Sequence, residues 1–158
     1  MKKTNTLTKL LALVLSLVMM CSMSVSAFAA EVADVEYAPD IENCEVITID
    51  LNEALAKAEE FNLNARSIFL EHSTYKMYNI GTLSAGQSVK ITVTWKPVTS
   101  PIHIGLVKSS SSTGNLLSLT GGNRSFTATV NSAGTYYLMI ANPSSSVDLN
   151  IEYLGYSK

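Results

Sequence analysis

Cysteine is nearly absent from this 158-residue chain, which has only Cys21 and Cys44. Two cysteines so far apart in character exclude the dense disulfide framework that staples many small exported domains. Histidine is as scarce, with His72 and His103 alone, and neither has metal-ligand spacing to another donor. No Gly-x-Ser-x-Gly elbow occurs, so the serine-rich tracts lack the shaped turn that a nucleophilic serine needs. The acids show no EF-hand spacing. From His72 onward the bases are Lys76, Lys90, Lys96, Lys108, Arg124 and Lys158, too few and too scattered for a nucleic-acid footprint. Strand-like and helix-like segments do not alternate, which excludes a doubly wound parallel sheet. No repeat of fixed period is present. These absences point to a protein that is not an enzyme, carries no cofactor or metal, and does not bind nucleic acid.

What is present begins with an export signal. Lys2, Lys3 and Lys9 form a positive start, Leu10 to Met20 is an apolar run, and Ala27-Phe28-Ala29 is a small-x-small cleavage site. The run is too short for a comfortable membrane span. Residues 1–29 are therefore expected to be a signal peptide, with a secreted, extracellular product that starts at Ala30 or Glu31 and is not membrane-embedded. A lipid anchor at Cys21 is disfavoured by the bulky Met20 before it. Cys44 is then the single cysteine of the secreted chain: a buried small side chain, a free thiol, or half of an intermolecular bridge.

Charge divides the rest. From Glu31 to Glu71 eleven acids stand against Lys57 and Arg66, a balance of −9, whereas from His72 onward the six bases face only Asp148 and Glu152. Residues 30–65 read as an acidic leader, either solubilising or folded back on a more basic domain. Within it Ala30 to Asn43 has little to bury and reads as flexible. Cys44 to Ile49 is β-branched and suits an added strand. Asp50 is placed to cap a short helix reaching Phe61, with Glu53 positioned for a capping box and Leu51, Leu55, Ala58 and Phe61 as its apolar stripe.

Residues 66–158 read as strands. Val89, Ile91, Val93 and Trp95 alternate with Lys90, Thr92 and Thr94; Phe126, Ala128 and Val130 alternate with Thr127 and Thr129. Val147, Leu149, Ile151 and Tyr153 alternate with Asp148, Asn150 and Glu152, which places Tyr153 on the core face. Seven or eight short strands with turns at Ala85-Gly86, Pro97–Pro101, Ser109–Gly114 and Gly121–Asn123 predict an all-β fold. Its form is an antiparallel β-sandwich, jelly-roll or immunoglobulin-like, preceded by the short helix. Alternation also sends His103 to the solvent face, Tyr136 inward and Tyr137 outward.

Two phrases carry a family resemblance. Leu83-Ser84-Ala85-Gly86-Gln87-Ser88-Val89 leading to Trp95, and Ser132-Ala133-Gly134-Thr135-Tyr136-Tyr137-Leu138-Met139-Ile140, resemble the bacterial pre-peptidase C-terminal (PPC-like) domain, over roughly Thr74 to Tyr153. That resemblance implies a non-catalytic β-sandwich that binds polysaccharide or matrix protein outside the cell. Some members of that family hold calcium; here the strand Ile102 to Val107 has none of the aspartates usual at that place. Asn131 to Tyr136 also resembles the tyrosine corner of immunoglobulin-like sandwiches.

The candidate ligand-binding residues are Tyr75, Tyr78, Tyr137 and Tyr156, since tyrosines stack on sugar rings and anchor protein interfaces. The function expected is that of a secreted binding or adhesion module for an extracellular polysaccharide or matrix protein. A structural protein that self-associates as a homo-oligomer through a sheet edge is the alternative.

Overall fold

The structure, a computed structural model, describes residues 33–38, 44–61, 63 and 67–158. The expected signal peptide, and Asp40 and Glu42 of the acidic leader, lie outside the described residues. The elements are β1 (Val35–Tyr37), β2 (Glu45–Asp50), a helix α1 (Leu51–Lys57), β3 (Glu59–Glu60), β4 (Ile68–Leu70), β5 (Tyr75–Leu83), β6 (Ser88–Lys96), β7 (Ile102–Lys108), β8 (Thr113–Leu119), β9 (Asn123–Val130), β10 (Gly134–Ala141) and β11 (Leu149–Ser157). They form two sheets, one of order β1-β9-β6-β11-β4 and one of order β2-β8-β7-β10-β5-β3. Every pairing is antiparallel except the two-residue β3–β5 contact. The all-β sandwich that the alternation predicts is the fold. Among the described residues no helix is long and apolar enough to cross a membrane.

Period-two alternation builds the core. Val89, Ile91, Val93 and Trp95 of β6 are fully buried and meet Ile102, Ile104 and Leu106 of β7 and Leu138 and Ile140 of β10 across the sandwich. Each such side chain contributes about 1.5–3 kcal/mol by leaving water. Trp95 satisfies its indole by donating to Ser100 O at 2.8 Å, which ties down the β6–β7 loop. Tyr136 is buried as alternation requires, and its hydroxyl donates to Ser132 O at 2.8 Å, the back-bond of a tyrosine corner.

The described parts of the segment expected to be a leader belong to the sandwich. β1 forms an edge of one sheet against β9, β2 an edge of the other against β8, and β3 adds to β5. The apolar content that seemed too small for folding is used at single points. Tyr37 is the clearest. The β7–β8 ladder stops at Ile104↔Leu117, and two residues further along each strand the Tyr37 hydroxyl takes its place. It accepts from Leu106 N at 3.3 Å and donates to Asn115 O at 2.6 Å. A β-carbon on Gly105 would stand 2.0 Å from that hydroxyl, so this wedge requires glycine there. Burial pushes the phenol's pKa far above the usual tyrosine value, against a smaller opposing effect of the Leu106 N–H. Just before it, the Asp34 carboxylate accepts from Ser111 Oγ and from Ser132 Oγ at 2.8 Å, with Lys108 Nζ at 3.8 Å.

The helix is shorter than predicted. Asp50 caps it, accepting from Asn52 N at 2.8 Å and Glu53 N at 3.4 Å. Glu53 does not reach back to the cap; it pairs with Lys57 Nζ at 2.6 Å instead. The helix stops at Lys57 because Glu59 and Glu60 leave it to pair with Lys76 and Met77. Seven residues are marginal as an isolated helix. This one is held by Leu51 and Ala54, buried on the outer face of the six-stranded sheet against Val107, Leu116 and Met139. Leu55 and Ala58, half of the expected stripe, are only partly buried there.

Candidate functional site

The four candidate tyrosines fall into two pairs, one on the outer face of the six-stranded sheet and one between the two sheets, where Tyr78 of β5 meets Tyr156 of β11. Tyr75 and Tyr137 lie on its outer face, half-buried beside the helix in the small cluster around Leu51 and Met139. Tyr137 is therefore not open to solvent as simple alternation has it, because the helix side of the sheet is covered. Tyr78 and Tyr156 face inward between the sheets. Their ring centroids are 6.2 Å apart, and Phe61 stacks on Tyr78 at 5.8 Å. Burial, and then the neighbouring Tyr78, push the Tyr156 hydroxyl above its ordinary pKa. These four rings pack between or against elements rather than forming a row that faces water.

The exposed aromatic surface is elsewhere, and a β-bulge creates it. Along β11, Ile151 stands opposite Trp95, but the next β6 residue, Thr94, stands opposite Tyr153. Glu152 and Tyr153 thus share one place in the ladder, and the alternation of the strand reverses beyond them. Tyr153, expected in the core, turns out to solvent at 57% exposure; Leu154 takes the core position, and Tyr156 turns in behind it. Val147, also assigned to the core face, precedes the strand and is 39% exposed.

Tyr153 then lies back along its own strand. A β-carbon on Gly155, two residues on, would stand 2.6 Å from the Tyr153 hydroxyl and 3.0 Å from its Cζ, so the ring rests over the glycine. The surface around it is the outer face of the five-stranded sheet. In successive rows that face carries Lys96 beside Asn150 and Phe69, then Asn123 beside Thr94 and Tyr153, then Ser125 beside Thr92 and Gly155, then Thr127 beside Lys90 and Ser157. Phe69 is 55% exposed. Thr92 and Ser125 share a hydroxyl–hydroxyl bond of 3.0 Å, and Ser88 and Thr129 one of 2.9 Å. Each such pair leaves a free O–H and most of its lone pairs for a ligand. Lys96 is held by Glu152 at 2.7 Å. The result is an open, hydroxyl-rich sheet face with two exposed rings.

The groups with acid–base chemistry are disposed otherwise. His72 Nδ1 stands 2.9 Å from Asp148 Oδ1, and the His72 main-chain N–H donates to the same oxygen at 2.8 Å. The two residues are 76 positions apart in the sequence; the fold joins them where the β4–β5 and β10–β11 loops meet. The same loops are tied by buried Asn142, which donates to Leu70 O at 3.1 Å and Val147 O at 2.8 Å. His103 is half-buried rather than solvent-facing, and burial holds its pKa below the usual histidine value, against a smaller effect of Glu45. Cys44 is a free thiol packed partly against the core; burial raises its pKa, which Arg124 partly offsets. Among the described residues no three His, Cys, Asp or Glu side chains converge as metal ligands would. No protein-family model matches the chain, and no curated protein matches it.

The sequence did contain a signal for Tyr153. Leu149 and Ile151 are followed by an apolar residue at Leu154, not at the position two after Ile151 alone, and Glu152 and Tyr153 fill the gap. A run that alternates and then skips by three is the mark of an inserted residue.

Proposed function

We propose that this chain is an exported, non-catalytic binding module whose ligand is an extracellular polysaccharide, taken on the outer face of the five-stranded sheet. The observation that carries this is the orientation of Tyr153. A tyrosine whose hydroxyl end lies over a glycine and which is 57% exposed offers apolar ring surface to a sugar while hydroxyls beside it offer hydrogen bonds. The open outer face of a sheet, with mixed aromatic and hydroxyl groups, suits an extended chain better than a small molecule, which prefers concave sites. The Ser and Thr side chains are short, so little rotamer entropy is lost when a ligand orders them.

The test is gel retardation of the secreted protein in gels cast with soluble β-glucans, galactans and galacturonans. Tyr153→Ala should abolish retardation while leaving the fold intact, because an exposed side chain contributes little to stability. Tyr156→Phe, which keeps the inward ring, should be retarded like the wild type. Equal retardation of Tyr153→Ala and wild type in every gel refutes the proposal.

A further inference from the structure

We infer that the polysaccharide lies along β11 and is acidic, with a carboxylate of the ligand meeting Lys90. This rests on the polysaccharide reading above and adds its course and its charge.

The course follows from where the apolar surface stands. Phe69 is beside Asn150, and Tyr153 follows one ladder row further along β11. Rows on one face are about 6.6 Å apart and strands about 4.8 Å, so the two backbone positions are separated by about 8 Å. The Tyr153 ring extends from its own row toward that of Gly155, away from Phe69. A chain that covers both rings therefore runs with β11 and continues over Gly155. Its next neighbours are Ser157 and, across the ladder from it, Lys90.

The charge follows from which cations on this face are engaged. Lys96 and Lys90 are the two lysines that β6 presents there, and both are exposed. Lys96 has a partner in Glu152. Lys90 stands opposite Thr127 on one side and Ser157 on the other, neither of them charged, and takes part in no ion pair among the described residues. It is one row past the Thr92–Ser125 hydroxyl pair, on the strand beside β11 and one row beyond Gly155, over which the Tyr153 ring ends. An ammonium at the end of an aromatic and hydroxyl track, with no protein carboxylate across from it, fits a uronate carboxyl group. The chain is acidic overall, so its overall field would repel such a polymer; the selectivity has to be local.

Retardation in gels of polygalacturonate and of a neutral β-glucan tests this, with four proteins: wild type, Lys90→Gln, Tyr153→Ala and Lys57→Gln. Lys57 is on the helix at the far face and serves as the control for overall charge. The wild type should bind polygalacturonate about five-fold more tightly than the neutral glucan, the size of one partly exposed charge pair. Lys90→Gln should lose that margin and keep neutral binding, Lys57→Gln should keep the margin, and added salt should shrink it. Tyr153→Ala should bind neither polymer. If wild type binds both polymers equally, or Lys57→Gln loses as much as Lys90→Gln, the acidic-ligand inference is wrong while the polysaccharide reading stands. If wild type binds neither polymer the acidic-ligand inference falls, and if Tyr153→Ala binds as wild type does, both fall.

Discussion

Replacing Tyr37 by phenylalanine tests how β1 is held. The change removes one oxygen and keeps the ring, which meets Phe126 edge-on at 5.9 Å and 63°. What is lost is the hydroxyl that stands between Leu106 N and Asn115 O. Those two main-chain groups are too far apart, with the hydroxyl seated between them, to bond each other without a shift of β7 toward β8. Each is left to find water or go unpaired, at about 1–3 kcal/mol for an unsatisfied buried group. Tyr37→Ala also forfeits the ring and leaves a void, for about 3–5 kcal/mol. In a domain of this size 1 kcal/mol shifts the melting temperature by roughly 3–5 °C. Tyr37→Phe should thus melt roughly 3–15 °C below wild type, and Tyr37→Ala lower again, in thermal scans checked by urea midpoints. Gly105→Ala should also destabilise, because its new methyl would meet the Tyr37 hydroxyl. Combined with Tyr37→Phe it should cost less than the two losses added, since they share one contact. If Tyr37→Phe melts with wild type, the two strands close without the hydroxyl and the wedge is incidental.

Tyr136→Ala should cost about 3–5 kcal/mol, since it empties a fully buried site and leaves Ser132 O without its donor, whereas half-buried Tyr137→Ala should cost clearly less; equal urea midpoints would contradict the facing assigned to β10. The Asp34 carboxyl is subject to burial, which raises its pKa, but the hydroxyls of Ser111 and Ser132 and then the Lys108 ammonium more than offset this and hold it below the usual aspartate value of 3.8. A lowered pKa in the folded state contributes stability above the unfolded value and loses it as pH falls through the folded one. Asp34→Asn should therefore melt below wild type at pH 6, by under about 1 kcal/mol for so accessible a pair, and the gap should close as pH falls below 3.8; a gap that widens in acid would reverse the sign.

The sandwich was legible because its evidence is local and repeated. Val89 to Trp95 and Phe126 to Val130 alternate without a break, and burial follows the pattern residue by residue. The place of β1, β2 and β3 in the sandwich was not legible because their burial is not periodic. β1 is three residues long, and the work of holding it falls on one phenol and one carboxylate. No window of sequence shows that Tyr37 will find Asn115, 78 positions away. The candidate site was missed for a different reason. Period two was carried through β11, and one extra residue exchanged the faces of everything after it. Tyr153 and Tyr156 traded places, so the ring chosen as a ligand contact is packed inward and the ring assigned to the core is exposed.

The charge division of the sequence acquires a location in the fold. The edge strands of the two sheets are β1 and β4 in one, β2 and β3 in the other. An open edge is a template for pairing with another chain, and short length and charge are the usual defences. Three of the four edges are two or three residues long. Glu36 is on β1, Glu45 and Asp50 are on β2, Glu59 and Glu60 are on β3, and Glu71 follows β4; all are exposed. β2 is the long edge, and it alternates exposed Val46 and Thr48 with half-buried Ile47 and Ile49, which would otherwise suit pairing. If two copies paired their β2 strands antiparallel over all six residues, Glu45 of each would face Asp50 of the other, and like charges directly opposed are destabilising. The acids thus work against edge-to-edge assembly at neutral pH. The central strands keep their hydroxyls and lysines on the outer face, where no such opposition exists. On the reading proposed above, an acidic polysaccharide approaching at neutral pH would meet like charge at the rim and open hydroxyls, two rings and an ammonium on the face, which would favour the surface that Tyr153 occupies.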